Sequence, residues 1–104
     1  MSINPTKYTL RPTEDDRIFI KFINKKNKIT SFVIQYYSKT PKGWRTIKRF
    51  DTAHGYAHEE FYGHSKTKKI KTIALKGNYN YIFTQAQRQI TQNWKKIKDN
   101  YMFQ

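Results

Sequence analysis

The apolar residues of this chain change their period once, and that change leaves few folds open. From Arg17 to Leu75 they recur mainly at every second position, the spacing of strands; from about Asn80 they recur at three and four, the spacing of a helix. Ile18, Ile20 and Phe22 share one face of a strand over Arg17 to Ile23, which ends in the turn-forming Asn24-Lys25-Lys26-Asn27. A second strand over Ile29 to Tyr37 puts Phe32, Ile34 and Tyr36 on one face and Val33 and Tyr37 on the other, before Ser38-Lys39-Thr40-Pro41-Lys42-Gly43 breaks it. A third runs from Trp44 to about Asp51, and a fourth from Lys69 to Leu75, closed by Lys76-Gly77-Asn78. Connections this short predict an antiparallel meander, because parallel neighbours need long crossovers.

Ile82, Phe83, Ala86, Ile90, Trp94, Ile97 and Tyr101 then mark the apolar stripe of one long helix over residues 80–102, with Gln85, Arg88, Gln92, Lys95 and Lys96 elsewhere around it. A sheet with one oily face needs a second layer. The expected fold is therefore α+β: an antiparallel β-meander of about four strands packed against one long C-terminal α-helix. Residues 1–16, with Pro5, Pro12 and Glu14-Asp15-Asp16, read as a partly irregular lead-in holding at most a short strand at Lys7 to Leu10.

A chain of 104 residues has room for one domain, 1–104, with one modest core. It contains no cysteine, which removes disulfides, thiolate metal sites and thiol nucleophiles. Its start lacks the apolar run of a signal peptide and no stretch has the length of a membrane span, so the expectation is a cytoplasmic protein without a membrane partner. Lys and Arg number 21 against seven Asp and Glu, a formal charge of +14. Charge of that size repels itself in a folded domain unless a polyanion is near, and nucleic acid is the commonest polyanion. A lysine-rich surface selected for temperature tolerance would raise Glu as well, and Glu is scarce here.

The few carboxylates are unevenly placed. Asp51, Glu59 and Glu60 fall together with all three histidines, His54, His58 and His64, between Arg49 and His64. This segment holds most of the groups able to move protons near neutral pH. Three readings compete for it. Histidines with Arg49, Lys48 and Tyr62 would cleave RNA without metal, one imidazole taking the 2′-hydroxyl proton, a cation steadying the phosphorane and a second acid serving the leaving oxygen. Asp51, His54 and His58, with Glu59 or Glu60, would instead hold a divalent metal ion, which is the less favoured reading. In the third, Asp51 caps a turn, Gly55 and Gly63 supply positive φ, and the histidines are ordinary loop residues.

Arg49-Phe50-Asp51-x-Ala53-His54-Gly55-x-x-His58 resembles the Arg-aromatic-Asp-x-Ala-His-Gly-x-x-His signature of the TumE-type toxins of prokaryotic toxin-antitoxin modules, which carry it after a strand in chains of similar size. The resemblance covers some ten residues and the strand before them. It implies action on RNA or translation, an acidic antitoxin-like protein partner, and functional roles for Arg49, Asp51, His54 and His58. Thr52 stands where that signature has Asn, and Glu59-Glu60 where it often has further histidines, departures that leave room for a binding relative without activity.

Basic and aromatic residues surround the segment. Alternation along Trp44 to Asp51 puts Arg45, Ile47, Arg49 and Asp51 on one face and Trp44, Thr46, Lys48 and Phe50 on the other, with Lys66, Lys68, Lys69, Lys71 and Lys76 just beyond. Arg45, Lys48, Lys66, Lys68, Lys69 and Lys71 are the candidate phosphate contacts, and Trp44, Tyr36, Tyr37, Tyr56 and Tyr62 the candidate stacking rings, Trp44 first. The apolar end Tyr101-Met102-Phe103 either folds back onto the sheet or meets a second copy in a homodimer. The functional expectation is an RNA-directed protein, with RNA placed before DNA. Its most concrete form is a toxin-like endoribonuclease with His54 and His58 as acid and base, Asp51 orienting one imidazole, Arg49 on the phosphate and Tyr62 beside them; the alternative is a nucleic-acid-binding protein that does not cut.

Overall fold

Alternating side chains and two-residue turns build one continuous sheet in the computed structural model, which describes residues 4–63 and 69–103. Its strands are β1 (Thr6–Thr13), β2 (Asp16–Lys25), β3 (Lys28–Thr40), β4 (Gly43–Asp51), β5 (His58–Tyr62) and β6 (Lys69–Ala74), followed by one helix, α1 (Tyr79–Met102). The strands lie in chain order, each antiparallel to the next. The α+β meander and its C-terminal helix are as expected. The strand count is six rather than about four.

Of the two further strands, β1 contains and extends the short strand expected at Lys7 to Leu10, and neither it nor β5 carries the pattern of a half-buried strand in sequence. Every side chain of β1 is exposed, so no buried face imposes alternation on it, and its register comes from the ladder to β2, with Thr6 opposite Phe22 and Leu10 opposite Ile18. Charged residues occupy most of β5, and its partners are ionic rather than apolar. The turn between β2 and β3 is made by Lys26 and Asn27 at φ 51° and 64°, the pair of positive values that matches the twist of a tight hairpin.

Helix α1 starts at Asn78, whose side chain accepts a hydrogen bond from the Tyr81 amide at 2.8 Å and satisfies one of the free donors of the first turn. It crosses β3 and β4. Ile82, Phe83, Ala86, Ile90 and Tyr101 pack from the helix onto Ile18, Ile20, Phe32, Ile34, Tyr36, Ile47 and Phe50 of the sheet, and Trp94 sets its ring edge against Tyr36. Full burial of one side chain such as Ile90, 0% exposed, is worth about 2 to 3 kcal/mol. At the chain end Tyr101 is buried and Phe103 lies open to solvent. Among the described residues no helix is long and apolar enough to cross a membrane.

The helix covers one face of the sheet. The other face is left uncovered by the helix, and it presents Arg17, Phe19, Lys21, Val33, Gln35, Tyr37, Trp44, Thr46 and Arg49. That open face positions the site.

Candidate functional site

A bulge in β4 decides which of its side chains reach the open face. Tyr36 pairs with Lys48 but Tyr37 with Thr46, so Ile47 is an extra residue and the alternation expected across Trp44 to Asp51 is reset there. Ile47, Lys48 and Phe50 all turn toward the helix, while Thr46, Arg49 and Asp51 face outward. Lys48, expected on phosphate, is instead buried, 2.6 Å from Glu59 and with its ammonium 4.6 Å from the Phe61 ring centroid.

Beyond Asp51 the chain turns sharply. The Asp51 carboxylate accepts from the Ala53 amide at 3.1 Å, and Thr52 ties the turn to β3 by accepting from the Phe32 amide at 3.0 Å. Ala53–Gly55 form a single 3₁₀ turn with His54 at φ 69° and Gly55 at φ 84°. Nothing stands within 4 Å of where a Gly55 side chain would begin, so the backbone angle rather than space is what asks for glycine. The turn returns the chain as β5, with His58 opposite Asp51 and Glu60 opposite Arg49. Four candidate side chains, Arg49, Asp51, His58 and Glu60, thus share the open face of two adjacent strands.

Their geometry is tight. His58 Nε2 lies 2.7 Å from Asp51 Oδ1 and 3.7 Å from Glu60 Oε2, while its Nδ1 lies 3.2 Å from the Tyr56 carbonyl oxygen. Arg49 donates through Nε to Asp51 Oδ2 at 2.7 Å and reaches Glu60 Oε1 at 3.7 Å. Lys69, opposite Tyr62 on β6, donates to Glu60 Oε2 at 2.8 Å, and the Tyr62 hydroxyl donates to Glu60 Oε1 at 3.4 Å. Asp51, His58 and Glu60 are buried, whereas Arg49 is half-buried and Lys69 exposed. Burial and then the Glu60 charge push the Tyr62 hydroxyl above the usual phenol range, so it stays a donor. The hydrogen bond to Glu60 raises Lys69, which stays charged.

His54 stands apart from this network. It is exposed on the 3₁₀ turn with its ring centroid 6.5 Å from that of His58, and Tyr56 is closer, at 5.1 Å. Asp51, His58 and Arg49 come together, joined by Glu60 and Lys69; His54 is the exposed neighbour. His64, Lys66 and Lys68 lie outside the described residues. Arg45 is half-buried with a guanidinium nitrogen 3.0 Å from the Trp44 carbonyl oxygen, and the Lys71 ammonium sits 5.6 Å from the Phe61 ring centroid.

Trp44, the first stacking candidate, is exposed on the open face. Arg17 lies 5.1 Å over its ring and Tyr37 meets it edge-on at 5.8 Å, with Phe19, Gln35, Arg45 and Thr46 completing a shallow depression of about 340 Å³. Tyr36, the neighbouring stacking candidate, is a core residue, 0% exposed. A second groove, lined by Lys21, Ile23, Val33, Arg49 and Asp51, runs from β2 to the ionic cluster. Arg17 and Phe19 went unmarked in sequence as members of this surface, and Glu60 stood only as an alternative to Glu59; the signal that selects Glu60 is its place two residues after His58, the same-face spacing of a strand.

No curated protein and no solved structure matches this chain. A family model does match, over residues 3–104, and the chain belongs to that family, described as a domain of unknown function, DUF7718.

Proposed function

We propose that this is an RNA-directed protein that takes a single-stranded segment across the open face of its sheet. The observation that carries the proposal is the interleaving on that face of cations with reachable rings: Arg17, Lys21 and Arg49 among Phe19, Tyr37 and Trp44. Phosphates pair with the cations and unpaired bases stack on the rings, a combination that a duplex, with its bases already stacked, uses poorly. Lys7 and Lys21 stand directly opposite each other across β1 and β2, an arrangement that costs stability until an anion lies between them.

Cleavage is the second reading, and the observation favouring it is His54 beside a buried His58–Asp51 pair. In that reading the exposed His54 exchanges the proton with the RNA and Arg49 holds the phosphate. His58 is the second proton-transfer group of this reading, with Asp51 orienting its imidazole. The likeness of the Arg49 to His58 stretch to TumE-type toxins supports an RNA target of this kind.

Fluorescence anisotropy with a labelled single-stranded RNA and its duplex tests the binding. Affinity for the single strand exceeds that for the duplex, falls steeply with salt, and drops by about 1 to 3 kcal/mol in Trp44→Ala with the melting temperature nearly unchanged. Salt-independent binding, or Trp44→Ala binding like wild type, removes the proposal. A cleavage time course of wild type and His54→Ala at equal RNA occupancy decides the second reading: cutting by wild type alone supports it, and no cutting by wild type ends it.

A further inference from the structure

We infer that Asp51, His58 and Glu60 form a binding site for one divalent first-row metal ion. The three offer His58 Nε2, one oxygen of Asp51 and one of Glu60, all within 4.8 Å of one another and all from buried residues. Around an ion about 2.1 Å from each ligand, neighbouring ligand atoms stand about 3.0 to 3.4 Å apart. The observed 2.7 Å from Nε2 to Asp51 Oδ1 and 3.7 Å to Glu60 Oε2 bracket that spacing.

The orientation of the imidazole points the same way. Only a donor fits against a carbonyl oxygen, so the Tyr56 carbonyl 3.2 Å from Nδ1 assigns that nitrogen its hydrogen and leaves Nε2 facing the carboxylates. This is how metal-binding histidines are commonly fixed, the far nitrogen donating to a backbone carbonyl and the near one turned to the ion. A lone pair facing a carboxylate oxygen at 2.7 Å demands a positive charge between them. One proton meets that demand for Asp51. Glu60 Oε2, turned to the same nitrogen, takes its positive charge from the exposed Lys69, and a metal ion at this point serves all three ligand atoms at once.

The surrounding cations divide into support and competition. Arg49 holds Asp51 by Oδ2, the oxygen not turned to His58, and so orients the ligand without occupying its place. Lys69 sits on Glu60 Oε2 itself, but it comes from the surface with its side chain 48% exposed and can swing into solvent. A set of one imidazole and two carboxylates suits Mn²⁺ or Zn²⁺ over Mg²⁺, which prefers oxygen and water. Protein contacts fill three positions, leaving the remainder for water or a phosphate oxygen arriving over the open face.

The test is a titration of the metal-free full chain, without RNA, with MnCl₂, ZnCl₂ and MgCl₂, followed by calorimetry and melting temperature. The expected result is one Mn²⁺ or Zn²⁺ per chain in the micromolar range, a raised melting temperature, and much weaker Mg²⁺ binding. Glu60→Gln, which keeps the side chain's shape, weakens binding at least about tenfold, and Lys69→Met tightens it several-fold by removing the competitor. His54→Ala leaves it unchanged. Absence of saturable binding below millimolar ion, equal binding by wild type and Glu60→Gln, or weaker binding by Lys69→Met overturns the inference. RNA affinity measured without metal separates this result from the fate of the RNA proposal.

Discussion

Two buried carboxylate sites, one on each face of this sheet, share one backbone ladder and are held in opposite ways. On the helix-covered face, Asp16 is 2% exposed and receives hydrogen bonds from the Tyr36 and Ser38 hydroxyls, each at 2.7 Å, and from Thr13, with Lys98 of α1 at 3.4 Å. Burial alone would raise its pKa, but these donors and the Lys98 charge outweigh it and hold the carboxyl below its ordinary value. Burial, and then Asp16, push the Tyr36 hydroxyl far up, so that it stays a donor. On the open face, Asp51 and Glu60 are held chiefly by charged groups, and two of those, Arg49 and Lys69, reach solvent. A carboxylate closed in by neutral hydroxyls is a joint between β2, β3 and α1. One surrounded by movable cations is a place where a ligand can enter.

The largest expected effect asks whether the covered face is assigned correctly. Ile90→Asp pushes an unpaired carboxylate into the core and costs more than about 4 kcal/mol, while Gln92→Asp on the exposed side of the same helix stays within about 0.5 kcal/mol. Equal melting temperatures for the two variants break the comparison at its base.

The contrast between joint and site is sharpened by urea unfolding of Asp16→Ala and Glu60→Gln. Asp16→Ala takes the acceptor from the buried Tyr36 hydroxyl, removes the bonds from Ser38 and Thr13, and costs about 3 kcal/mol; Glu60→Gln keeps its shape and costs about 1 kcal/mol. If the second loss equals the first, the open-face cluster is a structural joint as well.

Acid titration gives the smallest effect. Because the Asp16 carboxyl sits below its unfolded value of 3.8 in the folded chain, it contributes stability that is complete well above that pH and is lost as pH falls through 3.8 toward the lower folded value. Asp16→Asn flattens this acid limb. An unchanged limb would mean that other carboxylates set the acid sensitivity.

What could be read in advance followed from burial. The β2–β3 hairpin and α1 were legible because Ile18, Ile20, Phe32, Ile34 and Ile90 bury one face each, and burial leaves a period in the sequence. Strand β1 has no buried face and β5 is paired by ions, so neither leaves one. The bulge at Ile47 is a backbone event with no signature in residue type, and it parts Lys48 and Phe50, now on the helix side with Lys48 paired to Glu59, from Trp44 and Thr46, with which alternation groups them. Arg49, Asp51 and His58 were legible as a set because they flank one turn; Glu60 joins them only once β5 is known to be a strand. The φ of 69° at His54 turns that residue out toward solvent, which spacing alone does not reveal.

The strand order has a consequence for how the chain acquires its structure during synthesis. Each strand pairs with the one made just before it, so the ladder can grow in step with the emerging chain, at little cost in loop closure. The oily side of that ladder stays bare until α1, which follows all six strands, has been made. A nascent chain halted before Tyr79 therefore exposes Ile18, Ile20, Phe32, Ile34 and Phe50 together, a sticky intermediate that invites aggregation or chaperone capture.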